Sequence, residues 1–148
     1  MTTNLPDVNF LLALSWKNHI HHHSARRWFY EHRDEAFATC PITESGFVRL
    51  SMNPAVVGEA VSFKAATAAL RVYSKHRNHI FWPEDAGFAE LTRDFSIQGY
   101  RQTTDAYLLG LAIRRRGRLV TFDRRIEGIL ADQTSRKTHL VVVTEETP

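Results

Sequence analysis

Leu119-Val120-Thr121-Phe122-Asp123 is an apolar run that ends in a carboxylate, with the basic run Arg114-Arg115-Arg116-Gly117-Arg118 before it and Arg124-Arg125 after it. Such a run reads as a buried strand that delivers Asp123 where the next helix begins. A second stretch near the start has the same form: a short apolar lead-in, Asp7, and then Phe10-Leu11-Leu12-Ala13-Leu14. Two strands that each present an Asp at the start of a helix imply an acidic pocket along one edge of a sheet.

Outward from these two stretches, the chain alternates between short apolar runs and helical periodicity. Strands are expected near 4–8, 35–39, 80–82 (a buried one closed by Pro83), 119–123 and 140–143. Pro6 lacks a ladder donor and confines the first strand to a short one or to its end. Helices are expected at 21–32, 42–52, 61–75, 84–95, from Thr103 to the arginine run, and briefly at 124–130. Pro41 suits a first helical turn, Asn53-Pro54 is a stop signal, and Gly117 suits the position just past a helix end. This alternation predicts an α/β sandwich around a central, mostly parallel sheet.

The 148 residues are most simply one domain, 1–148, with 145–148 as a frayed tail. Hydrophobic residues make up 43% and charged residues 24%, which excludes disorder as the default. The apolar run 10–14 is too short to cross a bilayer. A single cysteine, Cys40, excludes an internal disulfide and suits a reducing cytoplasm. A net charge of +3 permits a polyanionic partner without requiring one.

Four carboxylates occupy corresponding places in this plan. Asp7 and Asp123 follow strands, Glu44 lies in the first turn after Pro41, and Asp105 lies in the first turn after Thr103-Thr104. Taken singly, each is explained as an acid at a helix N-terminus. Taken together, they gather at the crevice where open α/β sheets bind ligands. Four acids there repel one another unless a cation sits among them. An oxygen-only donor set favours Mg²⁺ or Mn²⁺ over zinc. Thr121, two residues before Asp123, adds a hydroxyl that could hold a metal-bound water. Clusters of this kind cut phosphodiesters, because the metal acidifies an attacking water and stabilises the departing oxyanion.

The order Leu5-Pro6-Asp7-Val8-Asn9, Thr43-Glu44, Thr104-Asp105-Ala106-Tyr107-Leu108-Leu109-Gly110-Leu111-Ala112 and Leu119-Val120-Thr121-Phe122-Asp123 resembles a PIN-domain ribonuclease, and more narrowly a VapC-type toxin of a bacterial toxin–antitoxin pair. The resemblance runs from Leu5 to Val143. It implies a PIN-like α/β/α sandwich in which Asp7, Glu44, Asp105 and Asp123 bind the divalent metal. Thr121 matches the supporting hydroxyl position, and Asn9 matches a polar position near the site. It further implies a homodimer, an RNA substrate, and an antitoxin whose tail covers the acids. Pro6 departs from the pattern, since an apolar strand residue is more usual there.

Other features are read more plainly. Arg124 and Arg125 adjoin Asp123 and suit the rim of a site that must attract a polyanion. Arg114, Arg115, Arg116 and Arg118 read as a solvated helix end, favourable there for cations. The run His19-Ile20-His21-His22-His23 lacks the further ligands a zinc site needs and reads as surface histidines at the start of a helix, or as part of a partner surface. Trp16, Trp28 and Trp82 read as packing residues, as does Cys40. Three rivals stand beside the ribonuclease. An aspartyl-phosphate phosphatase would want an Asp where Asn9 stands. A phosphoacceptor receiver domain fits Glu44 badly. A PIN fold acting only as a binding scaffold is the third.

Overall fold

Short, largely apolar runs of three or four residues form the strands, and the 3.6-periodic stretches between them form the helices that cover the sheet. The computed structural model describes residues 2–145. In chain order the elements are β1 (Thr3–Pro6), α1 (Val8–Ser15), α2 (His22–Glu31), β2 (Ala36–Thr39), α3 (Pro41–Ser51), α4 (Pro54–Val57), α5 (Phe63–Ser74), β3 (His79–Phe81), α6 (Phe88–Leu91), α7 (Thr103–Arg114), β4 (Arg118–Thr121), α8 (Gln133–His139) and β5 (Leu140–Val142). Turns of 3₁₀ helix at Tyr100–Gln102 and Arg124–Ile129 precede α7 and follow β4. The five strands form one sheet in the order β3-β2-β1-β4-β5, and every pairing is parallel.

Alternation along the strands divides the core between the two faces of the sheet. Leu5, Leu119 and Leu140 pack with α7 through Leu108, Leu111 and Ala112. Val120 and Val141 face the other way, onto Phe10, Ala13 and Ala25 of α1 and α2. A third cluster joins Leu11 and Leu12 of α1 to Phe47 and Val57. The predicted sandwich is therefore present. Trp16 stacks on Phe47 and donates its indole N–H to Ser51 at 2.9 Å, Trp28 packs edge-on to Phe10, and Trp82 is buried, so all three serve packing. Cys40 is fully buried, and its N–H donates to Thr43 Oγ1 at 2.9 Å.

Several expectations need correction. β3 is an edge strand rather than a buried one: Ile80 and Phe81 are 41% and 50% exposed, and only Trp82 beyond it is enclosed. The helix expected over 84–95 shrinks to Phe88–Leu91, because Pro83 and Gly87 bracket a loop whose residues are mostly exposed. Helices α4 and α8 were not anticipated. Each is short and lacks a long periodic stripe, but Asn53 and Asp132 cap their N-termini with side-chain acceptors. The predicted tail at 145–148 lies outside the described residues except for Glu145, whose carboxylate meets His21 Nδ1 at 2.5 Å.

The end of α7 differs in an instructive way. Arg116, not Gly117, adopts the left-handed conformation, with φ 58°. Gly117 N–H donates to Ala112 O at 2.8 Å and Arg116 N–H to Ile113 O at 3.0 Å, which is the paired closure of a Schellman motif. Gly117 is required for another reason. A Cβ there would meet Thr3 O at 2.5 Å and the Trp82 ring at 2.7 Å, so only glycine lets β4 enter the sheet beside β1. The arginine run is likewise more structural than a solvated end. Arg114 and Arg115 pair with Asp85, while Arg118 donates from Nε and Nη2 to buried Asn4 Oδ1 and pairs with Glu35 at 3.4 Å.

Candidate active site

From β1 the chain moves outward through β2 to β3, then crosses back to place β4 on the other side of β1. Connections therefore diverge at the carboxyl ends of β1 and β4, which leaves a crevice there. Asp7 is the first residue beyond β1. Its N–H donates to Val120 O at 2.9 Å, and its Oδ1 accepts the Phe10 N–H at 2.8 Å as the N-cap of α1. It is 5% exposed. Burial pushes its carboxyl up to about 7, and the nearby Asp105 and Asp123 charges push the same way. The Thr121 hydroxyl and the Phe10 N–H, both hydrogen-bonded to the carboxylate, pull it down.

Asp105 lies in the first turn of α7. Burial and the Asp123 charge raise its carboxyl to about 6, against the pull of Arg125. Asp123 follows β4 and caps the next turn. Arg125 grips it with both ends of its guanidinium, Nε to Oδ1 at 3.0 Å and Nη2 to Oδ2 at 2.9 Å, while the Arg125 backbone N–H donates to Oδ1 at 2.9 Å. This fork holds the Asp123 carboxyl below its usual range. Thr121 is fully buried. Besides its bond to Asp7, its Oγ1 accepts the Asp123 N–H at 3.0 Å, so one hydroxyl links two of the acids.

Three of the four predicted acids are thus close enough to perturb one another. Glu44 is held elsewhere. It stands in the first turn of α3, and its Oε2 accepts the Thr39 hydroxyl proton at 2.7 Å. His79 Nε2 lies 2.7 Å from the same hydroxyl. Thr39 has one proton and gives it to Glu44, so His79 must donate from Nε2. Thr39 ends β2 as Thr121 ends β4, and that repeated strand-end threonine is the signal that could have found it. His79 and Glu84, whose Oε1 accepts the Ile42 N–H at 3.1 Å, come from distant parts of the chain and leave no local mark.

Two open clefts flank the acids. One, of about 350 Å³, runs past Val8, Ser45, Glu84 and Thr104. The other, of about 230 Å³, is formed by Gln98 to Gln102 together with Asp123 and Arg125. Arg124 is exposed on the rim. Asn9 is exposed on α1, with Oδ1 3.2 Å from His19 Nε2. His21 stacks on Phe122, 4.7 Å between ring centroids, and His22 Nδ1 meets Ala13 O at 2.7 Å, so these histidines engage separate partners. Among the described residues, no group of three His, Cys, Asp or Glu side chains is gathered in an arrangement that could hold a metal ion.

The donor chemistry nevertheless fits a hard divalent cation. Two carboxyls hold their protons unusually tightly, chiefly because they are buried and further because other carboxylates lie near, and the third already carries a cation in the form of the Arg125 guanidinium. A PIN domain family model matches residues 5–129. The chain is 42% identical over 136 residues to Ribonuclease VapC39 of Mycobacterium tuberculosis, covering 90% of this chain and 94% of that protein. It is 46% identical over 119 residues to Ribonuclease VapC38 of the same species, covering 80% and 84%. The crystal structure of Mycobacterium tuberculosis VapC20, described as a Sarcin-Ricin loop cleaving toxin, superposes with a TM-score of 0.63 at 14% identity, over 84% of this chain and 92% of that one. On the family match and the extent of these identities, the chain belongs to the PIN domain family and, within it, to the VapC ribonucleases.

Proposed function

We propose that this protein is a metal-dependent endoribonuclease that acts as the toxin of a toxin–antitoxin pair. The observation that carries this reading is the placing of buried Asp7 within electrostatic reach of Asp105 and Asp123 at the β1–β4 switch point, in a chain whose relatives are named ribonucleases. Asp7, Asp105 and Asp123 would hold Mg²⁺ or Mn²⁺, with Glu44 completing the acidic set once it leaves Thr39. Bound there, the cation supplies an activated water and charge neutralisation at the departing oxyanion. The protein's part is to position. Thr121 orients Asp7, and the Asp123 carboxylate must turn from Arg125 to face the crevice. The released Arg125 guanidinium then joins Arg124 and Asn9 as polar contacts for the RNA backbone.

The partners implied are RNA, a cognate antitoxin and a second copy of the chain. Exposed Phe63, Val72, Ile80 and Phe81 supply apolar surface suited to such contacts. Among the described residues no helix is long and apolar enough to cross a membrane, and the single buried thiol supports a cytoplasmic setting. The engagement of Asp123 by Arg125 and of Glu44 by Thr39 gives the non-cleaving scaffold its one point of support.

Calorimetric titration with Mn²⁺ separates the two readings. Binding is expected to be strongest above pH 7 and to weaken as pH falls through 7 and then 6, because Asp7 and Asp105 in turn take up protons that the cation must displace. Arg125→Ala should bind Mn²⁺ more tightly than the parent, since no guanidinium competes for Asp123. Absence of binding, or affinity indifferent to pH, would favour the scaffold.

A further inference from the structure

The cleft beside Asp123 has a lining that the acidic site does not use. Tyr100 is 80% exposed, the second most exposed of the large hydrophobic side chains among the described residues, and it sits on the 3₁₀ turn that leads into α7. The Arg101 guanidinium carbon lies 5.8 Å from its ring centroid. A solvated aromatic ring at this position brings no core packing, so the fold gives no reason for it.

The loop that carries Tyr100 is tied down. Gln98 N–H donates to Gln102 Oε1 at 2.8 Å, and Gln102 Nε2 donates to the Arg125 carbonyl at 3.2 Å. One glutamine thus closes the loop on itself and fastens it to the segment following Asp123. As a result, the aromatic face, two guanidinium groups and an amide line a single cleft of about 230 Å³ that shares Asp123 with the acids.

We propose that this cleft is a nucleobase subsite, in which Tyr100 stacks on the base of a nucleotide flanking the phosphate to be cut. The assignment rests on the ribonuclease reading and gives it a single-stranded substrate. An apolar anchor of a protein partner would make no use of the Arg101 and Arg125 guanidinium groups in the walls. The Tyr100 ring offers a π-face for stacking, and around it Gln98, Gly99, Arg101, Gln102, Asp123 and Arg125 offer amides for a base edge and cations for adjoining phosphates. Stacking tolerates any base, whereas Gln102, already held at both ends of its amide, would present a fixed pattern to only some of them.

The test measures RNA binding without turnover, at one stated salt concentration, in the Asp7→Asn background. Fluorescence anisotropy is followed with a labelled single-stranded oligoribonucleotide and with the same sequence as a duplex. Adding Tyr100→Ala should weaken single-strand binding by about 5- to 100-fold. Tyr100→Phe should bind within about twofold of the parent, because the ring is what matters, and duplex binding should not respond to either change. Equal single-strand affinity of the parent and Tyr100→Ala would overturn the subsite while leaving the ribonuclease intact. Equal weakening by both substitutions would replace stacking with a hydroxyl contact and also overturn it. If the parent bound neither RNA, the ribonuclease reading would fall together with the subsite.

Discussion

Asp7→Asn is expected to stabilise the cation-free protein at pH 8 by about 2–4 kcal/mol, the equivalent of its carboxyl shift. In the fold this carboxyl titrates at about 7, against 3.8 for an unhindered one. Between those values the folded protein keeps a proton that the unfolded chain has released, so stability falls as pH rises. The loss is complete above pH 7 and absent below about pH 4. Asparagine retains an oxygen to cap the Phe10 N–H but carries no charge to bury. Denaturant unfolding at pH 4 and pH 8 should show a difference at pH 8 that vanishes at pH 4. A variant no more stable than the parent at pH 8 would mean that burial of the Asp7 carboxylate costs the fold nothing. The same substitution should remove cleavage, separating loss of function from loss of fold.

Phe10→Ala should have the opposite profile, costing about 3–5 kcal/mol of stability. The Phe10 ring is fully buried, stacked on Phe122 at 5.3 Å and edge-on to Trp28 at 5.6 Å. Its backbone N–H is the one that Asp7 caps, and Phe122 is the residue before Asp123. The residue therefore braces both strand-end acids from the α1 side. A fall in melting temperature of roughly 6–20 °C is expected for a domain of this size, with cleavage reduced even where the protein remains folded. Phe10→Leu should recover most of the stability. A loss below about 1 kcal/mol for the alanine variant would show that the site can collapse around the cavity.

The alternation of apolar runs and helical stripes was enough to predict the sandwich, because buried parallel strands need continuous apolar sequence and their crossovers need amphipathic helices. The acids could be found for a related reason. Strand ends next to helix starts are visible in sequence, and topology brings Asp7, Asp105 and Asp123 near one another, while Glu44 is held by Thr39. What could not be read was anything fixed by pairs distant in the chain. His79 reaches Thr39 across 40 positions, Glu84 reaches Ile42 across 42, and Arg118 reaches Asn4 across 114. Arg125 was placed on the rim but not on Asp123, although only two residues separate them, because the grip depends on the turn that Asp123 caps. The exposure of β3 escaped for want of a signal: His-Ile-Phe reads alike at the centre or edge of a sheet, and only the strand order decides.

On the proposed function, strand-end carboxylates at the β1–β4 switch point form the catalytic centre of a ribonuclease. RNA cleavage tests it most directly, with the parent and Asp7→Asn assayed side by side in Mn²⁺ and in EDTA, both first shown to be folded. Discrete RNA fragments are expected from the parent in Mn²⁺ alone. Fragments that persist in EDTA, or that Asp7→Asn produces at the parent's rate, would contradict it.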